Sequence, residues 1–146
     1  MQKIVVDTNV MVSALIQRSY PYLIIYELFI EDKIDLCVSK QLLQEYYEVL
    51  SRPKFVRYHD FFAKAESLLA DIEAKSSKYH PKNKFDMLSD KDDNMILELA
   101  YECSADFIIT GNTNHFTFSN FHKTIILSPR EYWIHHRPIQ DISKNL

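Results

Sequence analysis

The chain has 146 residues, of which 47% are hydrophobic and 25% charged, with a net charge of −3. That length suits one domain of the usual ~100–150 residues, and the mild negative charge gives no global attraction for nucleic acid, so such a contact must run through a local patch or metal ions. The single glycine, Gly111, excludes a P-loop and a dinucleotide-binding glycine fingerprint.

In chain order, Ile4 to Val6 form a short β-branched run that ends in Asp7-Thr8-Asn9. Such a run reads as a strand buried on both faces, and sites collect at the carboxyl ends of these strands. Asp7 fits two roles here, a cap for the next helix or a site residue. Helices are expected over 9–17 and 22–32, separated by Pro21, and a second strand over 33–39. Ser39 is placed to cap a helix reaching Leu50, which Pro53 stops. A further amphipathic helix spans 60–78, carrying Phe61, Phe62, Ala65, Leu68, Leu69 and Ile72 at helical spacing. Residues 77–90 are irregular, with a short edge strand near Tyr79. Helix 92–103, strands 106–110 and 124–127 and a short helix over 129–137 complete the pattern. Alternating strands and helices imply an α/β fold with a central parallel sheet covered on both faces. The domain is expected over 1–137, followed by a polar tail over 138–146.

Carboxylates stand out along this pattern. In the helix after Ser39, Leu42, Leu43, Tyr46, Tyr47, Val49 and Leu50 make the apolar stripe. Glu45 lies on its margin and Glu48 faces water. A glutamate at a margin is compatible with plain solvation. In "SDKDDNMILELA", Asp93 projects on the same side as Met95, Ile96, Leu99, Ala100 and Cys103, a costly place for an unpaired charge. Asp92 projects similarly but nearer the helix start, where the dipole suffices to hold it, and Asp90 is the best pure cap. The strand "IIT" runs into Gly111, Asn112 and Asn114, with Gly111 allowing a turn. Acids and amides thus gather at one end of the sheet. Clustered carboxylates repel unless a cation neutralises them, and hard oxygen donors favour Mg²⁺ or Mn²⁺. Such an ion can activate water against a phosphodiester.

The stretches "VVDTNVMVSAL", "SKQLLQEYYEVL", "SDKDDNMILELAYECSADFIITGNTNHF" and "IILSPREYW" together resemble a PIN domain, closest to the VapC-like toxin ribonucleases. The resemblance covers nearly the whole chain. It implies a small α/β/α sandwich and Mg²⁺- or Mn²⁺-dependent cleavage of single-stranded RNA by the toxin of a toxin–antitoxin pair. By it, Asp7, Glu45 and Asp93 are the catalytic and metal-binding acids, with Thr8 and Asn9 beside the first. The fourth family position, often aspartate, is Asn112, so one negative charge is missing and a tightly held second metal comes into question. Asp92 is a further metal-binding candidate, and Thr110 and His115 support substrate. An antitoxin and a second copy of the chain are the implied protein partners. A haloacid-dehalogenase-like phosphatase would need a second aspartate at position 9, where Asn9 stands.

For RNA phosphates, "RPKFVRYH" offers Arg52, Lys54 and Arg57 interleaved with Phe55 and Tyr58. A packed helical hairpin explains the same residues. Lys82, Lys84 and Lys91 form a second basic set near the acids. His59, His80 and His122 read as solvated, and His135 and His136 as surface residues. Cys37 and Cys103 share no metal-like spacing and lie in apolar segments. A reducing cytoplasm is expected, with no signal peptide and no apolar run of the ~18 residues that a membrane span needs. The rival to the enzyme is a catalytically silent PIN scaffold that binds RNA or protein, which Asn112 favours.

Overall fold

The computed structural model describes residues 1–139; the part of the expected tail from residue 140 onward lies outside them. Among the described residues six strands make one sheet, ordered β3-β2-β1-β4-β6-β5. β1 (Lys3–Val6) sits between β2 (Asp35–Ser39) and β4 (Phe107–Ile109), parallel to both. That central place explains the continuous apolar run, since Ile4, Val5 and Val6 are fully buried. β6 (Thr124–Leu127) extends the parallel set beside β4, and β3 (Ser77–Tyr79) pairs with β2, the edge strand expected near Tyr79. The sheet is flanked by helices, as the sequence led us to expect.

α1 (Thr8–Ile16) follows β1 with no loop, α3 (Lys40–Leu50) follows β2 the same way, and α5 (Lys91–Cys103) leads to β4. Each start has the expected cap. Ser39 Oγ accepts the Leu42 N–H at 3.1 Å, and an Asp90 oxygen accepts that of Asp92 at 2.8 Å. α6 (Pro129–His135) opens with proline at its first position and a capping box between Ser128 and Glu131. Among the described residues no helix is long and apolar enough to cross a membrane.

Several boundaries move, for identifiable reasons. Pro21 does not separate two helices. It lies in the first turn of α2 (Tyr20–Leu23), where its missing N–H is tolerated, and α2 continues as a π-helical stretch over Ile24–Phe29. α4 (Phe61–Lys75) stops before 78 because Ser77–Tyr79 are taken into the sheet. β5 (Asn120–Phe121) was not expected; it is antiparallel to β6. Its tight turn contains no glycine and places His122 at φ 53°, so the usual turn signal is absent. On the amphipathic stripes, Tyr47 and Phe62 are exposed rather than packed.

Tyr46 is fully buried, and its hydroxyl donates to Val6 O at the end of β1. This bond ties α3 to the sheet just behind Asp7. Tyr46→Phe keeps the ring and leaves a buried carbonyl short of a donor, an expected loss of about 1–3 kcal/mol. A lower denaturation midpoint at unchanged slope is the readout.

Candidate active site

Asp7 fills the capping role that its sequence position allowed. One carboxylate oxygen accepts the Thr8 N–H at 2.8 Å as α1 begins. The other accepts the Thr110 hydroxyl at 2.8 Å and the Asn9 amide at 3.3 Å. Its own N–H donates to Ile109 O at 2.9 Å, so the residue is fixed where β1 and β4 end side by side. Asn9 in turn accepts the Gly111 N–H at 3.0 Å. The glycine serves this close approach, not a turn with positive φ: a Cβ there would stand 3.1 Å from the Asn9 oxygen.

Glu45 is half-buried on α3 and accepts the hydroxyl of buried Thr8, while Glu48 is exposed. Asp93 is buried at the start of α5, with its Oδ2 3.5 Å from His115 Nδ1. Asp92 beside it is exposed. Asn112 is half-buried and joins the group through its backbone, donating N–H to Thr110 Oγ1 at 3.0 Å. Three stretches far apart in sequence thus deliver these acids, Asp7 at a strand end, Asp93 in the first turn of α5 and Glu45 midway along α3.

Burial acts first on all three, and the charge of Asp7 is felt by the other two. Burial pushes the Asp7 carboxyl above the ordinary carboxylate range, against the pull of the Thr110, Thr8 and Asn9 donors. Burial also raises Glu45, reinforced by the charges of Asp92 and Asp7, and Thr8 opposes it. Asp93 is raised by burial first, then by Asp90, Asp7 and Asp92, with His115 pulling the other way. The donors are hard oxygens whose negative charge burial and like neighbours disfavour, which is the chemistry a divalent cation relieves. As they stand, no three His, Cys, Asp or Glu side chains among the described residues form a closed metal-holding group.

Beside these acids lies a cavity of 760 Å³ between α3 and α5. Glu45, Glu48, Asp92 and Glu98 line it, as do Gln41, Gln44, Lys84 and Lys91. Asp7 and Asp93 lie off its wall. Of the two basic sets, Lys84 and Lys91 border this cavity. Arg52 reaches it through a 3.0 Å pair with Glu48, whereas Lys54 and Arg57 lie over the rings of Phe55 and Tyr58 at a separate small pocket. Sequence reasoning missed Glu98 and buried Asn94 on α5. The signal available was a carboxylate placed between Leu97 and Leu99, in an otherwise apolar run.

The profile of the PIN domain family matches residues 3–114. The chain belongs to that family. The PIN chain is 34% identical over 110 residues to the uncharacterized protein MJ1680 of Methanocaldococcus jannaschii, covering 75% of this chain and 70% of that one. Among solved structures it resembles VapBC2 from Rickettsia felis, bound there to a DNA fragment from their promoter. The TM-score is 0.57 at 17% identity, over 87% of this chain and 98% of the other. That likeness is one of fold. It matches the sandwich with a mostly parallel sheet described above.

Proposed function

We propose that this PIN protein is a cytoplasmic ribonuclease, the toxin of a toxin–antitoxin pair, which cleaves single-stranded RNA with Mg²⁺ or Mn²⁺. One observation carries the reading: Asp7, Glu45 and Asp93, from three separate stretches, are all raised above their ordinary range by burial, and the charge of Asp7 adds to the rise at both of the others. Membership of the PIN family and the shared fold with VapBC2 support it, and an antitoxin and a second copy of the chain are the partners it implies.

Asp7, Glu45 and Asp93 would hold the ion, with the Asn112 amide oxygen and Asp92 as additional donors. When bound, the cation offsets phosphate charge and acidifies water for attack. The chain's own residues do the positioning. Thr8 orients Glu45, Thr110 and Asn9 orient Asp7, and His115 stands beside Asp93. Arg52, Lys54 and Arg57 extend the path for the RNA backbone away from the cavity.

Labelled single-stranded RNA incubated with Mn²⁺ or with chelator tests the reading. Cleavage in Mn²⁺ and none in chelator is expected; intact RNA in both removes the enzyme. The silent scaffold is the second reading, favoured by Asn112 in place of an acid and by the unclosed acid group. It predicts RNA or protein binding without cleavage.

A further inference from the structure

Residues 80–90 cross α5 as a strap held by that helix's own side chains. Asn94, Glu98 and Glu102 are spaced four apart and so form one ridge. Glu102 accepts the Lys82 N–H at 3.0 Å, and Glu98 accepts that of Phe85 at 2.9 Å. Asn94 Oδ1 accepts the N–H groups of Met87 and Leu88 at 3.1 and 2.9 Å, and its amide donates to Leu88 O at 2.7 Å. All these anchors grip the strap's backbone, which leaves its side chains to face elsewhere.

Lys84 and Phe85 turn to the cavity that Glu45 and Asp92 also line. The Lys84 side chain is 76% exposed, and its ammonium lies 3.8 Å from Glu98. Edge-on contacts with Tyr101 and Phe121, at 5.5 and 5.3 Å, fix the Phe85 ring. Glu98 itself is only 7% exposed, an expensive position for a carboxylate unless it is paired and bonded. Both of its partners belong to the strap.

We propose that the strap is a nucleotide-binding wall of the site. Lys84 contacts an RNA phosphate next to the scissile bond, Phe85 lies against the adjoining base, and Glu98 is the positioning residue that sets both. The proposal takes its ligand from the ribonuclease reading, but its test reads binding rather than cleavage.

Anisotropy of a short labelled single-stranded RNA, in magnesium and in chelator at several salt concentrations, gives the affinity, with cleavage followed on gels in parallel. Lys84→Gln is expected to weaken binding about fivefold and to flatten the salt slope by roughly 0.7, one phosphate contact on a single strand. Glu98→Ala removes a negative charge, so by charge alone it should tighten binding; by positioning it should weaken binding as Lys84→Gln does. Glu98→Gln keeps an oxygen for the Phe85 N–H but not the carboxylate beside the Lys84 ammonium, so it should recover part of the affinity lost in Glu98→Ala. Unchanged affinity and slope in Lys84→Gln overturn the proposal, as does Glu98→Ala binding as tightly as wild type. A wild-type chain that binds no RNA in either condition overturns it too. Lys84- and Glu98-dependent binding of RNA that stays intact upholds the wall and sinks the nuclease.

Discussion

Asp7→Asn, Glu45→Gln and Asp93→Asn are each expected to lower RNA cleavage by ~10²–10⁴-fold, the loss of a key catalytic group. Each substitution removes a charge while keeping the side-chain shape. Asn at position 7 retains an oxygen for the Thr8 N–H, and Gln at position 45 retains one for the Thr8 hydroxyl. Folding should therefore survive in Glu45→Gln and Asp93→Asn; Asp7→Asn also turns an amide towards the Thr110 and Asn9 donors, so its folded fraction is compared before its rate is read. On the proposed site the three acids act as one group, which predicts that pairs of substitutions fall little further than the worse single one. Initial rates at saturating Mn²⁺, beside circular dichroism of each variant, provide the check. A single variant with wild-type rates removes that residue from the site.

The second large effect concerns stability. A cation at a hundredfold excess over its Kd should stabilise the fold by about 2.7 kcal/mol if it binds only the folded chain. Without metal, pH takes over. Asp7, Glu45 and Asp93 have folded-state carboxyl pKa values above their ordinary 3.8, 4.5 and 3.8 respectively. Above pH ~4 the folded chain thus holds more protons than the unfolded one. Stability from these groups is full below their ordinary values and is lost as pH rises through the folded ones. In chelator, melting temperature should fall as pH is raised across that window, and Mn²⁺ at neutral pH should reverse the loss. Asn112→Asp adds a fourth like charge, so it should steepen the fall in chelator and enlarge the gain with Mn²⁺. A flat profile in chelator, with no metal response, would show that these carboxyls do not share one centre.

The part of this site carried by strands and caps was legible in the sequence. Asp7 stands out because a buried β-branched run ends on it, and Asp93 because it projects on an apolar helix face where an unpaired charge is costly. What escaped depends on backbone meeting side chain across the fold. Glu98 and Asn94 lie under residues 80–90 because they accept that segment's N–H groups, and an irregular stretch carries no periodicity from which to foresee it. β5 escaped for the same reason, its turn being built on a left-handed His122 without glycine. Pro21 misled because proline can open a helix as well as end one. The basic residues Arg52, Lys54 and Arg57 read as a patch by composition alone. In the fold, Arg52 is paired to Glu48 and the other two lie against rings, which spacing along the chain does not reveal.

The claim that Asp7, Glu45 and Asp93 share one divalent cation is tested most directly by calorimetric titration of Mn²⁺ into the wild-type protein and into Asp93→Asn. A saturable wild-type isotherm that is lost or strongly weakened in the variant is the predicted result. Superimposable isotherms for the two proteins would contradict it.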